Sequence, residues 1–176
     1  KTIVYEKGQG GGLVSSRQSD EVGIYRIAST GGVATRVTKG GSSPHFGNLN
    51  DRIYYTEAGQ NKRQLASVDF NGEAKRVHAS GELATVFEVS PDGQNFAFRQ
   101  NYEAFAMPLM PGTQDVGASS SGGPLPVVKV SSGGADYIHW SGGGDRLYWA
   151  IGPTLFQAPT SAFFPSGPLA KDAKAD

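Results

Sequence analysis

The stretch Val89-Ser90-Pro91-Asp92-Gly93-Gln94-Asn95-Phe96-Ala97-Phe98 constrains the fold more than any other part of the chain. Pro91 presets φ for a turn, Asp92 can cap that turn through its side chain, and Gly93 tolerates positive φ. Phe96 and Phe98 then stand on one face of whatever follows. The phrase predicts strand, tight turn, strand. Weaker copies flank it: Phe46-Gly47-Asn48-Leu49-Asn50-Asp51-Arg52-Ile53-Tyr54-Tyr55 and Trp140-Ser141-Gly142-Gly143-Gly144-Asp145-Arg146-Leu147-Tyr148-Trp149. A hairpin that recurs marks a chain built from repeated units.

The copies stand roughly 40 to 50 residues apart. The longer interval holds residues 112–126, rich in Gly, Ser and Pro, which predict a disordered loop. A second anchor agrees. Arg36-Val37 and Arg76-Val77 each follow a glycine turn, and Val128-Lys129-Val130 fills the same slot after the insertion. Several short strands per period of about 40 to 45 residues predict propeller blades. The first strand of each unit ends at Phe46, Val89 or Trp140. The second is Ile53-Tyr54-Tyr55, Phe96-Ala97-Phe98 or Leu147-Tyr148-Trp149. The third includes Ile24-Tyr25-Arg26-Ile27, Leu65-Ala66-Ser67-Val68, Ala104-Phe105-Ala106-Met107 and Thr154-Leu155-Phe156-Gln157, and the Arg-Val pairs lie in the fourth. Ile3-Val4-Tyr5 falls in the second slot of an earlier unit. The predicted fold class is all-β: blades of four antiparallel strands, two complete and two partial, forming an incomplete propeller. It spans residues 1–160, with an irregular C-terminal extension over 161–176, where only residues 170–176 have helix-friendly composition. The chain opens on a strand, without an initiator Met, so both ends are expected to have been cut from something longer. The open blade faces are expected to meet the rest of that propeller or a second copy.

Composition narrows the function. Sixteen basic residues balance 16 acidic ones, so no charge excess points to nucleic acid or to a cationic partner. Cysteine is absent, which excludes disulfides, thiol nucleophiles and Cys-based metal sites. No apolar run approaches the ~20 residues of a membrane helix. The 25 glycines and 10 prolines fit many turns.

The repeat register places His45, Glu88 and His139 in one equivalent slot, just before the last apolar residue of the first strand. The first strand of a blade lies innermost, beside the channel. Strand alternation then buries Phe46, Val89 and Trp140 and aims the polar slot at the channel. Two imidazoles and a carboxylate there could bind a divalent cation or an anionic ligand. Polar side chains in a wet channel also need no ligand, and metal ligation demands distances of about 2 Å. These three residues are the candidate ligand-binding, channel-lining set. No catalytic residue and no protein metal site is predicted. Gly8-Gln9-Gly10-Gly11-Gly12 lacks the helix a nucleotide loop needs. No Gly-x-Ser-x-Gly elbow occurs. His78, at the end of a fourth strand, is expected on the surface. Asp51, Asp92 and Asp145 recur beside turns and are assigned to turn chemistry. Tyr54, Tyr55, Phe96, Phe98, Tyr148 and Trp149 are assigned to blade packing.

The Ser90-Pro91-Asp92-Gly93 hairpin, followed by a short strand, a glycine turn and Arg-Val, resembles the WD40-like repeats of TolB-type β-propellers. The resemblance covers residues 22–158; the flanking copies depart from it at residues 47–51 and 141–145. Tyr137-Ile138-His139-Trp140-Ser141 and Leu147-Tyr148-Trp149-Ala150-Ile151-Gly152-Pro153-Thr154-Leu155-Phe156 are similar to the last blades of large amidohydrolases, in which such a propeller precedes a metal-dependent hydrolase barrel. Propellers of prolyl-oligopeptidase-type enzymes are a more distant match. The resemblance implies a non-catalytic scaffold, access gate or protein- or peptide-binding surface. It also implies a periplasmic or secreted setting, partners in the remaining propeller and hydrolase domain, and a divalent metal only in that domain. The alternatives are a stand-alone interaction module and a propeller enzyme with its own site at the channel mouth. Fold alone does not choose among them.

Overall fold

The computed structural model describes residues 1–8, 21–119 and 125–163. The expectations for residues 9–20 and 170–176 lie outside that set.

Four sheets follow one another along the chain. The first contains β1 (Thr2–Lys7), β2 (Gly23–Ala28) and β3 (Thr35–Thr38), adjacent in that order. The second contains β4 (Ser42–Phe46), β5 (Arg52–Ala58), β6 (Arg63–Asp69) and β7 (Arg76–Gly81). The third is built from β8 (Ala84–Val89), β9 (Asn95–Gln100) and β10 (Glu103–Pro108). After β11 (Gln114–Asp115), it is completed by β12 (Val128–Lys129). The fourth contains β13 (Asp136–Trp140), β14 (Arg146–Ile151) and β15 (Thr154–Pro159). The fold is all-β, with consecutive strands paired antiparallel into blade-like units and no sheet closed on itself. Among the described residues no helix is long and apolar enough to cross a membrane.

Two of the three anchoring hairpins share one piece of turn chemistry. Ser90 N–H donates to the Asn95 carbonyl at 2.9 Å, and Ser90 Oγ accepts from Asn95 N–H at 3.0 Å. Ser141 repeats both bonds with Arg146, at 2.9 and 3.1 Å. Each serine hydroxyl also donates to a turn carboxylate, Asp92 in one copy and Asp145 in the other. Gly93 and Gly144 adopt φ of +69° and +75°, where a Cβ would be strained. The Asp residues at these two turns thus do turn work, as their placement in the sequence implies.

Apolar faces meet between consecutive sheets. Ile24, Val37, Ile53, Tyr55, Ala66 and Val68 fill the first interface. Phe87, Phe96 and Phe98 centre the second, with Leu65 and Met107 against them. Trp140, Leu147 and Trp149 fill the third, against Ala97 and Ala104. Each large side chain so buried contributes about 1.5 to 3 kcal/mol. Tyr55, Phe96, Phe98 and Trp149 are therefore packing residues, while Tyr54 and Tyr148 are half-buried. On the outer sheets, Ile3, Leu155 and Phe156 remain exposed.

Two expectations require correction. Residues 112–119 form no disordered loop. β11 pairs in parallel with β7 as a fifth strand of the second sheet, and the one-turn helix α1 (Val116–Ser119) follows. Asp115 caps that turn through Gly117 N–H at 2.9 Å and takes Lys62 at 2.8 Å. Val116 is fully buried in the second interface, and that burial offsets the entropy of ordering the loop. Residues 120–124 of the insertion lie outside the described set. His78 is the second correction, since it is half-buried. Its Nε2 lies 2.7 Å from Ser67 Oγ, and its ring centroid 5.2 Å from that of Tyr54. The residue lies on a strand whose neighbour supplies a small hydroxyl, which leaves room for the ring. Burial, then Arg52 and Arg76, lower its pKa to about 4.

Candidate functional site

The inner strands β4, β8 and β13 lie side by side and are tied to one another by side chain-to-backbone bonds. Val89 N–H on β8 donates to His45 Nε2 on β4 at 2.8 Å. Trp140 Nε1–H on β13 donates to the Glu88 carbonyl on β8 at 3.0 Å. One strand further out, Phe87 N–H donates to the buried Thr56 Oγ1 at 3.0 Å.

These bonds fix the state of His45. A backbone N–H can only donate, so Nε2 carries a lone pair. Nδ1 lies 2.8 Å from the Ser43 carbonyl, which can only accept, so Nδ1 carries the proton. The ring is a neutral Nδ1–H tautomer with both nitrogens engaged, stacked on Tyr54. Burial is the main reason its pKa falls to about 4. In this arrangement His45 has no nitrogen left for a metal ion or an anion. Its role is to join two blades.

Glu88 differs. Its side chain is only 14% exposed, and its Oε2 lies 3.9 Å from His45 Nδ1, whose proton is already given to Ser43. Burial pushes its pKa up to about 8. His139 is exposed. Glu88 and His139 line one groove of about 680 Å³, together with Ser43, Val86, Arg99, Asp136, Tyr137 and Ile138. The structure thus brings Glu88 and His139 to a common space and places His45 beside it, turned to the backbone. Among the described residues no three His, Cys, Asp or Glu side chains gather closely enough to hold a metal.

The groove owes its shape to irregular backbone. All three inner strands slip register against their partners: between Ser42 and His45, between Ala84 and Val86, and between Asp136 and His139. Such bulges bend an edge strand and re-aim its side chains. Ser43 and Tyr137, in equivalent positions, both sit at φ +52°, a costly conformation for residues with a Cβ. Tyr137 is 88% exposed there. Pro44 is tolerated within β4 because the inner edge needs no ladder N–H from it. Arg99 crosses between sheets, donating to Asp136 Oδ1 at 2.6 Å and to Thr85 Oγ1 at 2.9 Å.

No family profile matches the chain, and no curated protein matches it. Among solved structures, a chain in the crystal structure of a nidogen/laminin complex is similar at a TM-score of 0.49 and 15% identity, over 73% of this chain. The match spans 48% of that longer chain.

Sequence reasoning missed Ser43, Arg99, Asp136 and Tyr137. Ser43 and Tyr137 precede His45 and His139 by the same interval, so the repeat register pointed at them. Arg99 and Asp136 carried no such signal, because their pairing depends on how two sheets pack.

Proposed function

We propose that this chain is a non-catalytic β-propeller segment that binds an extended peptide or protein segment in the groove between β8 and β13. The observation that supports this reading is the bulging of three consecutive inner strands at nearly the same place. It opens a concave surface with apolar walls, Val86 and Ile138, and hydrogen-bonding groups, Ser43, Glu88 and His139. A catalytic reading of the channel mouth would have to do without His45, since a general base needs a free lone pair and His45 has none. The finer proposal, that the segment scaffolds or gates a metal-dependent hydrolase domain, rests on the resemblance of residues 137–156. It calls for a barrel with His-x-His ligands in the sequence that follows. Self-association through the outer sheets is tested by solution mass, where a strict monomer would remove it.

The test of binding is a peptide-display selection on the chain and on Val86→Trp, which fills the groove. A consensus that is enriched on the parent and lost on the variant is expected. Enrichment that survives Val86→Trp would overturn the groove as the binding site.

A further inference from the structure

We infer that the groove selects a basic side chain, a lysine ammonium or arginine guanidinium of the bound segment, with Glu88 as its counter-charge. This rests on the peptide-binding reading above. The charged and titratable groups facing Glu88 are His45 on β4, Arg99 on β9, and Asp136 and His139 on β13. His45 is neutral and spends both nitrogens on backbone. Arg99 is held by Asp136 and Thr85. Among the described residues no group hydrogen-bonds the Glu88 carboxyl; the 3.9 Å approach of His45 Nδ1 is its nearest ionic contact. A largely desolvated carboxyl without a cation is an incomplete pair, and a partner's cation would complete it.

The rest of the groove suits a long basic side chain. Val86 and Ile138 offer apolar contact to a methylene stem. Tyr137, held out at the rim, presents an aromatic ring to a cation. Glu88 holds a proton at neutral pH, so binding exchanges that proton for the ligand's cation: the carboxylic acid loses H⁺ to solvent and the carboxylate pairs with the ammonium or guanidinium. Affinity then rises with pH, by up to about tenfold per unit, until near the Glu88 pKa of about 8.

The test uses four acetylated, amidated tripeptides with central Lys, Arg, norleucine or Glu between alanines. Each is titrated into the full chain and followed by amide NMR at about pH 6 and about pH 8. The Lys and Arg peptides are expected to shift the amides of Glu88, Tyr137 and His139 and to bind more tightly at the higher pH. Norleucine binds more weakly and Glu weakest. In Glu88→Gln the advantage of Lys over norleucine and the pH dependence both disappear. If all four peptides bind the groove equally, or if Glu88→Gln leaves the preference for Lys intact, the inference fails and peptide binding stands. If none perturbs the groove, both fail.

Discussion

Replacing Glu88 by Gln reshapes the pH dependence of stability in a calculable way. The folded chain keeps the Glu88 proton to about pH 8, while the unfolded chain releases it near 4.5. Between those values the folded state binds more protons, so Glu88 makes stability fall as pH rises. At about 1.4 kcal/mol per unit the full span is worth at most about 5 kcal/mol. The carboxyl borders an open groove that admits water, so a loss of about 2 to 3 kcal/mol is expected. His45 works in the opposite direction. Its folded pKa of about 4 lies below the ordinary 6.5, so its contribution is fully present above 6.5 and is lost as pH falls toward 4. His78, also lowered to about 4, adds a slope of the same sign as His45, so both histidines oppose Glu88 between 4.5 and 6.5, and of these three groups only the Glu88 loss remains above 6.5. Urea melts across this range should show the parent losing stability from pH 6.5 to 8, with Glu88→Gln level there. Gln is close in shape to the neutral acid, so the fold survives. Parallel pH profiles for parent and variant would refute the reasoning.

Three further perturbations test separate features. His45→Phe keeps a ring beside Tyr54 but leaves Val89 N–H unpaired, and should cost about 1 to 3 kcal/mol in a denaturant melt; an unchanged midpoint would dismiss the inter-blade bond. Val116→Ala removes two methyls from a fully buried site and should cost about 2 kcal/mol while exposing residues 112–119 to protease; an unaltered cleavage pattern would mean that the insertion is held by other contacts. Tyr137→Gly relieves the positive φ of an exposed residue and should leave stability unchanged or raise it by up to about 1 kcal/mol, with weaker peptide binding; a marked loss of stability would contradict the strain assignment.

The blade register was legible because local chemistry wrote it. Ser90-Pro91-Asp92-Gly93 specifies a turn, and the apolar residues after it specify which face is buried; both follow from neighbours in the chain. The bulges were not legible. A one-residue slip changes pairing without changing composition, and neither Ser43 nor Tyr137 is the glycine that would advertise positive φ. The strand β11 was hidden for a different reason: its two polar residues gain a ladder only from a sheet more than thirty positions back. Of the slot residues, Glu88 and His139 do meet one groove, while the tautomer of His45 depends on two backbone groups that no pattern of side chains reveals.

The parallel strand β11 has a consequence for how the molecule comes apart. A row of sheets that touch only their neighbours divides its stability into local terms and can fracture at any junction. Here the chain leaves the third sheet, returns to clasp the outer edge of the second, and plugs Val116 into their shared interface. That junction is spanned by covalently continuous chain at its rim as well as by β8 at its hub. The middle pair should open as a single cooperative block, with slowly exchanging amides along β6 and β9. The first and fourth sheets, each bound to that block through one interface, should exchange earlier.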